Sequence, residues 1–222
     1  MLENTKNKAI VMGATGLVGS FLVDLLLKDE TFEKVYVLTR KSIGYTHPKL
    51  VEFVDNLDEP SAYRIAINDA THAFCCLGTT MKVAGSKEAF YKVDYGYCAL
   101  FAQQAIMKGV AHFSMVSALG ANKNSGIFYN QVKGEIEDLV LSLPFQSISI
   151  VRPSLLIGAR NDLRVGEKIA QFIAPFLNLI LVGPLKKYQS IKGSQVAKAL
   201  IKLSKTNSSG IQIVENDALK SM

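Results

Sequence analysis

Tyr129 and Lys133 are the two residues whose types and spacing point most directly to chemistry. They lie four positions apart in a stretch of helical periodicity, so their side chains share one face of the predicted helix Tyr129–Leu143. A free phenol is a poor base at neutral pH because its pKa is about 10, and a neighbouring ammonium group stabilises the phenolate. This Tyr-Lys spacing is therefore typical of sites in which the tyrosine exchanges a proton with a substrate.

Ser117 is the third candidate catalytic residue. It directly follows the predicted strand His112–Val116 and precedes the helix that carries Tyr129 and Lys133. A serine hydroxyl in this place can donate a hydrogen bond to a substrate oxygen on which negative charge develops. The alternative interpretation is a surface Tyr-Lys pair that has no connection with the serine.

Three glycines form a second motif, Gly13-Ala-Thr-Gly16-Leu-Val-Gly19, where the predicted strand Lys8–Met12 passes into the predicted helix Leu17–Lys28. Gly13 permits a sharp turn, Gly16 lets backbone N–H groups approach a pyrophosphate, and Gly19 lets the helix pack close to the sheet. The helix N-terminus then faces the anion, so the motif predicts a dinucleotide site. The predicted contacts here are Gly13, Thr15, Gly16, Leu17, Val18 and Gly19.

The end of the second predicted strand, Lys34–Thr39, favours NADP(H) over NAD(H). An acidic residue at this point accepts hydrogen bonds from the ribose 2′-hydroxyl of NAD, whereas this chain has Arg40 and Lys41, which suit a 2′-phosphate. Glu33 precedes the strand and is interpreted as a solvated charge. The alternative for Arg40 is also a solvated charge, and Lys41 is the less certain partner.

Further cofactor contacts are predicted near the carboxyl ends of other strands, because ligands of open parallel sheets bind there. They are Asn56, Leu57, Cys76, Leu77, Gly78, Thr79 and Pro153. Cys75 and Cys76 point to opposite faces of a strand, so one is expected in the core while Cys76 lines the pocket. The cysteines and histidines lack the spacing of metal ligands, and no metal is predicted.

Strands and helices alternate along the chain, which predicts an α/β fold with a doubly wound parallel sheet, the Rossmann fold. The other predicted strands are Leu50–Val54, Ala73–Leu77, Ser147–Val151 and Gly210–Val214, and the other predicted helices are Ser61–Asn68, Ser86–Lys108, Glu167–Phe176 and Ser194–Ser204. No linker or repeat interrupts them, so we expect one NAD(P)-binding domain over residues 1–222. A small substrate-side region is expected mainly from residues 153–193.

Composition narrows the range of partners. The chain has 222 residues, and 25 Lys+Arg against 19 Asp+Glu give a net charge of +6, spread along the chain without a basic run. No nucleic-acid partner is therefore expected. The most apolar segment, Ile169–Leu185, is interrupted by prolines and polar residues, so no transmembrane helix is predicted. We expect a cytoplasmic protein and leave the choice between monomer and homodimer open.

Taken together, these motifs resemble the extended and atypical branches of the short-chain dehydrogenase/reductase superfamily. The segments Cys76-Leu-Gly-Thr-Thr80, Phe90-Tyr-Lys-Val-Asp94, Phe128-Tyr-Asn-Gln-Val-Lys-Gly-Glu-Ile-Glu137 and Val151-Arg-Pro153 are similar to the atypical group that includes the mammalian HIV Tat-interacting oxidoreductase-like protein and its bacterial relatives. The resemblance covers about residues 8–167. It implies catalysis by Ser117, Tyr129 and Lys133, with Lys133 also holding the nicotinamide ribose. Asp94 stands where many relatives have Asn, which puts a proton relay there in doubt.

The sequence thus predicts an NADP(H)-dependent oxidoreductase that transfers hydride to or from a small carbonyl or alcohol substrate. One alternative is an NADP(H)-binding regulatory or interaction protein without turnover. Another is a nucleotide-sugar epimerase, although only about seventy residues follow Pro153, which is small for the substrate lobe of such relatives. Arg160 and Arg164 are candidates to hold an anionic substrate, or else are solvated loop residues.

Overall fold

The computed structural model describes residues 6–158, 183–206 and 209–222. Seven parallel strands in these ranges form one sheet in the order β3-β2-β1-β4-β5-β6-β9, and β7 pairs with β8 in a separate two-stranded sheet. The strands are β1 (Asn7–Met12), β2 (Phe32–Thr39), β3 (Leu50–Val54), β4 (His72–Cys75), β5 (His112–Val116), β6 (Ser147–Arg152), β7 (Leu156–Ile157), β8 (Ile191–Lys192) and β9 (Gly210–Glu215). The predicted doubly wound parallel sheet is confirmed.

Helices cover both faces of this sheet. They are α1 (Leu17–Lys28), α2 (Pro60–Ile67), α3 (Met81–Ala84), α4 (Lys87–Tyr91), α5 (Cys98–Met107), α6 (Phe128–Ser142), α7 (Gly193–Thr206) and α8 (Asn216–Lys220), with a 3₁₀ turn at Gly183–Tyr188. The predicted helix Glu167–Phe176 and the candidates Arg160 and Arg164 lie outside the described residues. No described helix is long and apolar enough to cross a membrane.

The strand order places a crevice at the carboxyl ends of β1 and β4. From β1 the chain builds β2 and β3 to one side, then crosses back to add β4, β5, β6 and β9 on the other. At such a reversal the connections leave in opposite directions, and ligands bind in the crevice that remains. The predicted glycine motif follows β1 directly, at this point.

Two apolar layers hold the sheet between the helices. Strand residues alternate between the faces, so Met12 and Cys75 pack with α2, α5 and α6, whereas Val11 and Phe74 pack with α1 and α7. Cys76 packs against the second layer, as the alternation predicted. Both faces of the central strands are buried, which explains why they are continuous apolar runs rather than alternating ones.

The helix α6 is fixed by a close backbone contact and by an ion pair. An ideal Cβ at Gly134 would lie 2.1 Å from the backbone nitrogen of Lys123, so only glycine permits this approach. The guanidinium of Arg152, at the end of β6, binds the buried Glu137 carboxylate through Nε at 3.0 Å and also through Nη2. Its Nη1 donates to Glu215 at 2.9 Å, which ties β9 to the same group.

The predicted continuous helix Ser86–Lys108 is wrong in its interior. The structure has α4, a π-helical segment at Lys92–Tyr97 and then α5. A π segment contains one more residue per turn than the α-helix, and the apolar spacing of the sequence does not reveal this difference. Asp94 is the buried residue of the π segment.

Acid pH is expected to destabilise the fold through His72 at the amino edge of the sheet. Burial, with a contribution from His112 stacked at 4.4 Å, lowers the pKa of His72 to about 4. The folded state therefore binds its proton less readily than the unfolded chain, and stability is lost as pH falls from about 6.5 to about 4. The expected loss is about 3 kcal/mol.

Denaturant unfolding at several pH values measures this dependence. His72→Gln is expected to remove most of the slope in that window, and His47→Gln, at an exposed histidine, is expected to keep it. An unchanged slope in His72→Gln would contradict the assignment.

Candidate active site

The glycine motif forms a tight turn between β1 and α1. Gly13 has a φ of +85°, and an ideal Cβ there would lie 2.5 Å from the carbonyl carbon of Cys76. A Cβ at Gly19 would lie 2.1 Å from the Gly13 carbonyl oxygen. Gly16 differs, since its backbone is extended and its Cβ would lie 3.2 Å from the Gly13 carbonyl oxygen, a tight contact rather than an overlap. Gly13 and Gly19 are thus required by packing, whereas Gly16 leaves open the space beside the helix N-terminus.

A cavity of about 520 Å³ opens at this turn and reaches the predicted catalytic residues. It brings together residues from the ends of β1, β4, β5 and β6 and from α6. Its lining is Gly16, Leu17, Val18, Cys76, Leu77, Gly78, Thr79, Thr80, Asp94, Val116, Ser117, Tyr129, Lys133, Ser154, Leu155, Leu156, Ile157 and Gly158. The glycine motif, the loop that follows β4 and the candidate catalytic residues therefore line one continuous cavity.

The remaining predicted cofactor residues are not among the residues that line this cavity. Arg40 and Lys41 are exposed at the carboxyl end of β2, and the ion pairs formed between described residues do not include them. Asn56 follows β3 and accepts a hydrogen bond from the Asp58 backbone, while Leu57 is buried in the core. Four further predicted cofactor contacts are also absent from the lining, namely Gly13, Thr15, Gly19 and Pro153.

Glu33 requires a correction of position. It is the second residue of β2 rather than a residue before the strand, because β2 begins at Phe32. Its side chain is exposed and lies 3.3 Å from the ammonium of Lys8. Glu33 is at the amino end of the strand, so it remains far along β2 from Arg40 and does not take the place of the acidic residue typical of NAD sites.

Ser117 and Tyr129 face the cavity in different environments. Ser117 is 5% exposed, and its Oγ makes no hydrogen bond with any described group. A buried hydroxyl normally finds a partner, so the open Oγ is consistent with a ligand atom as its acceptor. The ring of Tyr129 packs against the buried ring of Phe90, with centroids 5.6 Å apart, which restricts the position of its hydroxyl.

Lys133 is buried and paired with a carboxylate that the sequence did not connect to it. Its Nζ lies 2.7 Å from Oδ1 of Asp94, and the two side chains are 6% and 0% exposed. Burial alone would lower the pKa of Lys133, but the negative charge of the neighbouring Asp94 carboxylate is the first of the contributions that outweigh burial and raise it. Lys133 is therefore a cation at neutral pH despite its burial.

A second cavity of about 930 Å³ adjoins the first on the other side of Tyr129. The two share Ser117, Tyr129, Ser154, Leu155 and Leu156, and the second adds mainly residues that follow β5, β6 and β9. These are Ala118, Leu119, Gly120, Asn130, Arg152, Pro153, Lys187, Tyr188, Glu215 and Asp217. The loops after β5 and β6 thus form the side opposite the glycine motif.

Cys76 lines the first cavity without the character of a nucleophile. It is half-buried, and burial raises the pKa of its thiol well above the usual range. The thiolate is the reactive form of cysteine, so this thiol is an unreactive wall of the cavity.

Comparison with known proteins places this architecture in a family. A family model described as NAD(P)H-binding matches residues 13–141, which include the glycine motif, the β4 loop, Ser117, Tyr129 and Lys133. The chain belongs to the NAD(P)H-binding family. Within this family it is similar to Protein HTATIP2 of Rattus norvegicus, with 35% identity over 174 residues, 75% of this chain and 70% of that protein. The resemblance to the atypical short-chain dehydrogenase/reductase group is thereby confirmed.

Fungal relatives extend the similarity over more of the chain. Protein FMP52, mitochondrial, of Debaryomyces hansenii is 33% identical over 202 residues, covering 88% of this chain and 87% of that protein. Among solved structures, MoeE5 in complex with UDP-glucose and NAD aligns with a TM-score of 0.72 and 16% identity, over 97% of this chain and 80% of that one. At this identity the structural likeness shows that this NAD(P)H-binding protein shares the fold.

A substitution at Gly16 is expected to separate cofactor binding from folding. In Gly16→Val the extended backbone accommodates a branched residue, but the side chain fills the space beside the helix N-terminus. We expect the affinity for NADPH to fall by at least about 100-fold with the far-UV circular dichroism spectrum unchanged.

The matched control is Gly126→Val, at a glycine with open space around its Cβ position, and it is expected to bind NADPH normally. A normal NADPH titration of Gly16→Val would show that the cavity beside α1 does not hold the dinucleotide.

Proposed function

We propose that this protein is an NADP(H)-dependent oxidoreductase that transfers hydride between the cofactor and a carbonyl or alcohol carbon. The observation that carries the proposal is the shared cavity, in which Ser117, Tyr129 and Lys133 face the same space as the glycine motif. Membership of the NAD(P)H-binding family supports a nicotinamide cofactor.

The residues fit such a cofactor and divide the chemistry among themselves. When bound, NADPH supplies a hydride to the carbonyl carbon. Tyr129 then donates its proton to the carbonyl oxygen, Ser117 donates a hydrogen bond to that oxygen as charge develops, and the ammonium of Lys133 stabilises the phenolate that is left. We propose that the same ammonium also holds the ribose hydroxyls. When an alcohol is oxidised, the hydride and the proton move in the opposite directions, and Tyr129 accepts the hydroxyl proton.

The second cavity is the proposed substrate pocket, and its lining supports a small organic substrate. Leu119, Leu155 and Leu156 supply apolar walls. The guanidinium of Arg152 is already bound to Glu137 and Glu215, which leaves it poorly suited to neutralise an anionic group. Lys187 is a further cation of this lining, but Glu215 and Asp217 are acidic, so we propose a small carbonyl or alcohol as the substrate in preference to a nucleotide sugar.

Two other functions make different predictions for the same assay. A regulatory or interaction protein would bind NADPH without oxidising it in the presence of any carbonyl compound. An epimerase would convert a sugar without net consumption of cofactor. We further propose a cytoplasmic location without a nucleic-acid partner; the names of the fungal relatives include the word mitochondrial, so fractionation of cells is the relevant test.

Removal of the Tyr129 hydroxyl tests the catalytic assignment. In Tyr129→Phe we expect kcat for NADPH-dependent reduction of a panel of aldehydes and ketones to fall about 100-fold or more, because the proton donor is lost. NADPH affinity is expected to change by less than about threefold. Tyr91→Phe removes the same hydroxyl from an exposed tyrosine and serves as control. Full turnover by Tyr129→Phe would refute the assignment.

Removal of the Arg40 guanidinium tests the choice of cofactor. Its bidentate pair with a 2′-phosphate is expected to contribute about 1.5 to 3 kcal/mol, so wild type should bind NADPH at least about tenfold more tightly than NADH. Added salt should weaken this preference because the residue is exposed. Calorimetric titrations should show that the preference for NADPH over NADH is largely lost in Arg40→Ala and retained in Arg64→Ala. Equal wild-type affinities would make Arg40 a solvated charge.

A further inference from the structure

The buried carboxylate of Asp94 is the strongest feature of the site that the proposed reaction leaves without a role. Its Oδ1 lies 2.7 Å from Nζ of Lys133, and its Oδ2 accepts a hydrogen bond of 2.8 Å from the backbone N–H of Thr79. One carboxylate thus contacts the candidate catalytic lysine and the loop after β4 at the same time.

The backbone around Asp94 is shaped to admit this contact. Asp94 lies in the π segment between α4 and α5, a helix irregularity that is frequent at functional sites. On the opposite side, an ideal Cβ at Gly78 would lie 3.2 Å from Oδ1 of Asp94 and 3.5 Å from Nζ of Lys133. A side chain at position 78 would therefore crowd the pair from the cavity side.

The electrostatics explain why Lys133 depends on this partner. A buried ammonium without a counter-charge gives up its proton more easily, because the charged form is the one that loses solvation. The titratable groups that act on Lys133 and its surroundings are Asp94, Tyr129, Cys98 and, at the end of β4, Cys75. Asp94 is the carboxylate among them, and it lies at ion-pair distance.

We propose that Asp94 is a positioning residue, which holds the ammonium of Lys133 in place and ties it to the Gly78–Thr79 loop of the dinucleotide site. The inference deepens the proposed function and rests on it in one respect, that Lys133 contacts the cofactor. Without Asp94, Lys133 is expected to lose its proton as the pH rises, and cofactor affinity is expected to fall with it. A merely structural role would weaken binding equally at every pH.

The test is the pH dependence of NADPH binding, measured by fluorescence titration between about pH 7 and pH 9.5. Asp94→Asn keeps the shape of the side chain and removes its charge. We expect its NADPH affinity to fall at least about tenfold across this range, while that of wild type changes less than about threefold. Asp138→Asn removes the same charge from an exposed ion pair on α6, the helix that carries Lys133, and should behave like wild type.

A double-mutant comparison keeps the inference testable if Asp94→Asn folds poorly. Lys133→Met removes the ammonium, and Asp94→Asn combined with Lys133→Met removes both charges of the pair. If Asp94 acts through Lys133, the double variant binds NADPH as Lys133→Met does. Parallel pH profiles in wild type and Asp94→Asn, or additive losses in the double variant, would overturn the proposal. Because the readout is binding, a failure to find turnover would count against the proposed function and leave this test intact.

Discussion

The geometry of the candidate active site depends on places where two backbone segments lie so close that no side chain fits between them. At Gly13 and Gly19 a Cβ would lie within about 2.5 Å of neighbouring backbone atoms, and at Gly134 it would lie 2.1 Å from Lys123 N. The first two contacts set the start of α1 beside the end of β1. The third sets α6 against the loop after β5. Because both elements reach the same edge of the sheet, the N-terminus of α1 and the Tyr129–Lys133 face of α6 open onto one cavity.

The second constraint on the site is that the charged groups buried by this close backbone packing need partners of opposite charge. Close packing of α6 places Lys133 out of water, where a lone cation is costly, and the Asp94 carboxylate from the π segment offsets that cost. Arg152 and Glu137 repeat the arrangement one turn further along the helix, where a bidentate pair fixes α6 to β6. The helix that carries the candidate proton donor is thus held by one packed glycine and by two ion pairs with buried carboxylates.

Most of the fold could be predicted from the sequence because it depends on local patterns. The apolar runs and the glycine motif after β1 indicated parallel strands, and the structure and the NAD(P)H-binding family confirm them. The π segment could not be predicted, since one extra residue in a turn leaves the apolar spacing of a helix almost unchanged. The Asp94–Lys133 pair joins residues thirty-nine positions apart, and Gly134 contacts Lys123 through the backbone, so neither has a local signal. The sequence did offer Asp94 itself, an acidic residue in a predicted helix at a position where many relatives have Asn. The residue roles assigned to the cavity remain predictions.

Isotope transfer tests the central claim, that the protein catalyses direct hydride transfer between a nicotinamide and a carbonyl carbon in this cavity. NADPH carrying deuterium on one face of the nicotinamide C4 is incubated with the protein and a carbonyl compound that it reduces, and the alcohol product is analysed by mass spectrometry and NMR. The account predicts one deuterium on the carbinol carbon, delivered to one face, when one of the two labelled forms of NADPH is used. Deuterium that stays in the cofactor with both labelled forms, or an alcohol carbon that takes its hydrogen from solvent, would contradict it.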